Sequence, residues 1–97
     1  MIVRYHALAR MEILEAIGYY AGERHELGLE FLEEVTSAIE MIAANPLQFA
    51  QVRPGIRRCP VDRFPYGIYY RLPDASTVRI IVVKHHSRRP GLGMRRK

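Results

Sequence analysis

His85 and His86 stand side by side where the most apolar run of the chain, RIIVV, gives way to KHHSRRP. Imidazole titrates near neutral pH and suits general acid–base work, including activation of a ribose 2′-OH. Guanidinium grips phosphate or carboxylate through paired N–H donors. Arginines are plentiful here: Arg88 and Arg89 follow the histidines, and Arg57, Arg58, Arg63, Arg71 and Arg79 precede them. Two chemistries fit these residue types. In one, His85 or His86 acts as acid or base in RNA cleavage while Arg58 and Arg88 steady the pentavalent phosphate. In the other, Lys84, His86 and Arg89 belong to a cationic surface that docks a partner, while His85 and Arg88 close the end of the sheet. Neighbouring strand residues face opposite ways, so the two histidines cannot share a site if the strand runs through both. For either alone, a strand-ending histidine bonded to a loop is the plainer reading.

Other chemistries find little support. Cys59 sits among arginines, which favour a thiolate, yet it has no sequence partner and reads as a small buried hydrophobe. The histidines at 6, 25, 85 and 86 have no metal-ligand spacing, and no phosphate-cradling glycine loop or serine-nucleophile motif is present. No metal and no cofactor is expected. Tyr66, Tyr69 and Tyr70 interleave with the arginines; Tyr70 reads as core, and Tyr69 is the better candidate for stacking on a base.

The elements that position these residues follow from periodicity. IVRY (2–5) reads as a first strand. Ala9, Ile13, Ala16, Ile17 and Tyr20 recur at helical spacing, with Gly18 a weak point of that helix or a place for close approach. A second helix starts near Glu26, presents Gly28, Phe31, Val35, Ala38, Ile39 and Ile42 on one face, and stops at Asn45-Pro46. The short break between them predicts an antiparallel helical hairpin. LQFAQVRPG reads as irregular. Beyond Gly55 the period becomes two: a strand at 56–61 with Pro60 at an edge or bulge, a strand at 66–72, a turn at PDAS, and a strand at 77–85. In the last, Val78, Ile80 and Val82 alternate with Ile81 and Val83, the mark of a strand covered on both sides. The expected fold is α+β, in the order β-α-α-β-β-β, with the helical hairpin packed on a mostly antiparallel sheet. One domain spans 1–97, with a short basic tail at 91–97.

The 97 residues suit a single core. Net charge is +5, unevenly spread. Residues 1–45 carry three arginines against eight glutamates, a balance of −5, whereas 46–97 carry twelve Lys/Arg against Asp62 and Asp74, a balance of +10. Such a half attracts nucleic acid or an acidic protein segment. No run is long and apolar enough to span a membrane, MIVRYHALA lacks the pattern of a secretory signal, and the single cysteine gives no sign of an oxidising compartment. The cytoplasm is the expected location.

Three stretches resemble the RelE/ParE superfamily of toxins from type II toxin–antitoxin systems. These are ILEAIGYYA leading to SAIEMIAANP; RCPVDRFPYGIYYRL, with Phe64-Pro65-Tyr66 opening a strand; and IIVVKHHSRRP, with His85-x-x-Arg88-x-Pro90. The resemblance covers about residues 2–90. RelE-like members cleave mRNA on the ribosome, whereas ParE-like members poison DNA gyrase by binding. Where RelE-like toxins have an arginine after the strand-opening tyrosine this chain has Gly67, and it has no tyrosine after Tyr70. The pattern therefore looks closer to ParE. The resemblance implies growth inhibition and plasmid stabilisation, a cognate antitoxin with a flexible acidic or amphipathic segment, and DNA gyrase, or alternatively the ribosome and mRNA, as target. A non-toxic basic binding module stays open as a further alternative. The expected surface is an open sheet front gathering Arg58, Arg63, Arg71, Lys84, His86, Arg88 and Arg89 for an anionic partner.

Overall fold

A computed structural model describes residues 1–97. The elements are β1 (Ile2–Tyr5), α1 (Ala7–Glu23), α2 (His25–Ala44), β2 (Gln51–Arg53), β3 (Ile56–Pro60), β4 (Tyr66–Asp74) and β5 (Thr77–His85). They form one sheet in the order β1-β5-β4-β3-β2, in which only the β1–β5 pair is parallel. The helical hairpin lies on one face, here called the back. No helix is long and apolar enough to cross a membrane.

Local chemistry sets the boundaries. α1 starts where His6 Nδ1 accepts the Leu8 N–H at 3.1 Å, a histidine doing the work of an N-cap carboxamide or hydroxyl. Arg24 alone, in extended conformation, separates the helices. Their close approach is made at Gly28, where a Cβ would stand 2.8 Å from Ala21 Cβ and 3.0 Å from the Ile17 carbonyl oxygen; Gly18 faces open space. The segment 51–53, expected to be irregular, is an edge strand turned onto β3 through Pro54 and Gly55, the latter at φ +75°. Proline then positive-φ glycine is the signature of a type II turn.

Parity along β5 departs from the simple alternation. Tyr69 pairs with Val82 but Tyr70 with Ile80, so Ile81 is the extra residue of a bulge. Below it, Val78 and Ile80 face the helices; above it, Val83 does, while Ile81 and Val82 both belong to a separate front cluster with Ile56 and Met94. The back core is closed by rings: Phe31 lies 5.1 Å from Phe64 and 5.0 Å from Tyr66, with Tyr20 against all three. Such contacts add to burial of roughly 1.5–3 kcal/mol for each large apolar side chain.

Candidate functional site

The front of the sheet was expected to be open, and it is largely covered. After His85 the chain turns back, and residues 89–97 cross the front as a succession of turns. Met94 is buried against Ile56, Ile81 and Val82. Lys84, expected at the surface, is 5% exposed, and its Nζ donates to the carbonyls of Arg89, Pro90 and Leu92 at 3.0, 2.9 and 3.1 Å. Burial pulls its pKa down, assisted by the field of Arg53. Arg71 is likewise engaged by the tail, through the carbonyls of Arg96 (2.9 Å) and Met94 (3.2 Å), and Arg79 at the surface by the Lys97 oxygen. The physical reason is plain: a turn-rich tail on an apolar face leaves carbonyls unpaired, and cations of the sheet satisfy them.

The other arginines are dispersed. Arg57 points to the back and holds the loop before β2 through the Phe49 carbonyl at 2.7 Å. Arg63, at φ +68°, leaves the sheet front altogether and pairs with Glu30 (3.3 Å) and Glu34 (3.7 Å) of α2. Arg89 stays exposed on the tail, and Arg58 stays on the front face beside β4 and His86. Its Nε donates to the Tyr69 hydroxyl at 3.2 Å and its other end meets His86 Nε2. Gly67 makes this possible, because a Cβ there would lie 2.6 Å from Arg58 Nε.

The histidines part company. His85 faces the back, with Tyr66 stacked edge-on at 5.3 Å, and shares a small cleft with Glu15, Tyr19 and Arg88. Burial holds the Tyr66 phenol above its usual range, opposed by Arg88. His85 Nδ1 accepts the Ser87 N–H at 2.9 Å. His86 faces the front and, meeting a guanidinium that can only donate, accepts through Nε2. Both imidazoles thus have their acceptor nitrogen engaged.

Sequence reasoning overlooked Glu12, Arg53, Arg95 and Arg96. Beyond Tyr5 the edge of β5 has no strand partner. Glu12 of α1 accepts the Val83 N–H at 3.0 Å, and Arg96 donates to the Ile81 carbonyl at 3.0 Å while pairing with Glu12 at 2.9 Å. An ion pair therefore closes the sheet edge that would otherwise invite another strand. The available signal was GLGM: Leu92 and Met94, each preceded by a glycine, suit a tail that packs.

The fold and this geometry can be set beside known proteins. The model of the ParE toxin of type II toxin–antitoxin systems, parDE, matches residues 3–90. A chain of the chromosomal ParDE toxin–antitoxin system from P. aeruginosa superposes with a TM-score of 0.75 at 16% identity, over 88% of this chain and 95% of that one. No curated protein sequence matches. The strand–hairpin–meander order, the Phe-Pro-Tyr strand opening and the closing His-x-x-Arg-x-Pro all fall within the matched span, and the chain belongs to the ParE toxin family of type II toxin–antitoxin systems.

Proposed function

We propose that this toxin acts in the cytoplasm by docking on DNA gyrase, without chemistry of its own, and that a flexible segment of a cognate antitoxin silences it. The observation that carries docking over catalysis is the engagement of both imidazole acceptor nitrogens, His85 by the Ser87 N–H and His86 by Arg58. A general base needs a free lone pair within reach of the proton it takes. Family membership supports the gyrase target.

For the antitoxin, the covered sheet front shifts attention to the helices. Leu8, Met11 and Leu14 of α1 and Leu29 and Leu32 of α2 are exposed, so both helices carry large apolar side chains away from the core. Tyr5, Ile13, Leu14, Leu32, Val35 and Ile39 line a groove between α1 and α2 of about 220 Å³. An amphipathic segment folding as it binds would seat its apolar residues there.

The deciding experiment separates two readouts. Purified protein is expected to inhibit gyrase supercoiling and to leave mRNA intact in a translation extract, and His86→Ala is expected to keep that inhibition within a few-fold. A second reading, RelE-like ribosome-dependent mRNA cleavage, draws on the meeting of Arg58, Tyr69 and His86 in the space left by Gly67. It requires cleavage that His85→Ala, His86→Ala, Arg58→Ala or Arg88→Ala removes. Unimpaired growth on expression without the antitoxin would displace both in favour of a non-toxic binding module.

A further inference from the structure

On the front, the tail creates a second feature as it covers the sheet. Arg53, Arg89, Arg95 and Arg96 converge with Gly91 and Gly93 around an open concavity of about 680 Å³ that contains no acidic and no apolar residue. Of the four, only Arg96 has an acidic partner, Glu12; the ion pairs of the protein otherwise involve Arg24 and Arg63. Arg53, Arg89 and Arg95 are exposed and come from separated parts of the chain, β2 and the tail. Placing Gly91 beneath Arg53, with the Arg53 guanidinium 3.9 Å from where a Cβ would be, leaves its donors unobstructed. Like charges held together without counter-charges repel one another, and the repulsion is felt nearby: Arg53, Arg89 and Arg96 all depress the Lys84 pKa. An anionic ligand relieves that repulsion.

The lining also limits what the ligand can be. Single-stranded nucleic acid is held by aromatic side chains on which unstacked bases lie, and this basin has none. An amphipathic segment that folds on binding seats apolar residues beside its charges, and the basin offers no such seats. Several exposed arginines on an open surface suit an extended polyanion recognised by charge alone. We infer that the arginine basin binds the phosphate backbone of duplex DNA without reading its sequence. Backbone contacts position a protein on the duplex and carry no sequence information themselves. The inference goes beyond the gyrase target, since such binding belongs to the toxin chain alone and is measured without gyrase.

The test is fluorescence anisotropy of the purified chain on unrelated DNA duplexes of about 20 base pairs. Three free arginines on three phosphates give a log–log salt slope of about −2.7, or roughly 40-fold weaker binding between about 50 and 200 mM salt. The double variant Arg53→Gln/Arg95→Gln is expected to bind at least about tenfold more weakly at the lower salt, with a slope near about −0.9. Arg4→Gln/Arg24→Gln removes the same net charge elsewhere and is expected to keep the slope. Circular dichroism melting of each variant checks the fold. Equal losses in the two doubles would reduce the effect to overall charge and overturn the proposal. So would undetectable binding by the intact chain at low salt, or a tenfold preference for single strands or for duplex RNA.

Discussion

At Gly67 a Cβ would come within 2.6 Å of Arg58 Nε and 3.2 Å of its Cζ, so a methyl group there must displace the guanidinium. Because the displaced group is the end of a flexible side chain, Gly67→Ala is expected to change stability by less than about 1 kcal/mol. It should nevertheless free Arg58 from Tyr69 and His86. The arginine Nε–H resonance in an NMR spectrum reports this directly, and an unchanged Arg58 signal would contradict the packing described. One strand position away, Cys59 is buried and its thiol pushed up to about 11 by that burial, with Arg58 opposing. The folded chain therefore keeps this proton between about pH 9 and 11, where the unfolded chain gives it up. Stability is full below the unfolded thiol pKa and falls as pH rises through that window. Tyr70, whose hydroxyl donates to the Pro46 carbonyl, is pushed up to about 12 by burial and extends the decline. The urea midpoint of the natural chain is expected to drop more steeply between pH 9 and 10.5 than that of Cys59→Ala; parallel curves would count against a buried thiol.

Among the elements, the tail is the one whose role differs most from its sequence impression. Gly93 has φ +79°, and a Cβ on it would collide with Val82 Cγ2, so only glycine fits. Gly93→Ala is expected to cost about 2 kcal/mol or more, from left-handed strain and overpacking together. Met94→Ala should cost about 2 kcal/mol by emptying the front cluster. Urea unfolding gives both values, and a tail that merely trails in solvent would give neither. The helices were readable because their covered stripes obey one period: Ala9 and Ala16 on α1, Phe31, Val35, Ala38 and Ile42 on α2 are all buried. Strand β5 was readable as doubly covered, but its parity was not, since a run apolar on both faces hides the bulge at Ile81. Strand β2 has three exposed residues and no hydrophobic alternation, so only Pro54-Gly55 marked its turn. The destinations of the arginines were illegible because a guanidinium's partner here is often a distant carbonyl, as for Arg71 with Arg96.

For the molecule as a whole, charge segregation along the chain becomes segregation in space. The half with balance −5 supplies β1, the helical roof and its apolar groove, and the half with balance +10 supplies the other four strands and the arginine basin on the opposite side. The intervening cations are consumed internally by tail carbonyls, so the basic half does not present one continuous surface. If the antitoxin segment takes the groove and the duplex takes the basin, the two partners meet different walls and have no need to exclude each other. Leu32→Glu, which puts a charge on the rim of the groove, is expected to weaken antitoxin binding at least about tenfold, since a charge cannot be desolvated against apolar seats without loss. It should leave duplex affinity and its salt slope unchanged. Arg53→Gln/Arg95→Gln should do the reverse. Calorimetry with the antitoxin segment and anisotropy with the duplex, each repeated with the other partner saturating, decide the matter. Independent affinities mean two faces with two partners, whereas mutual competition would place the antitoxin on the sheet side after all.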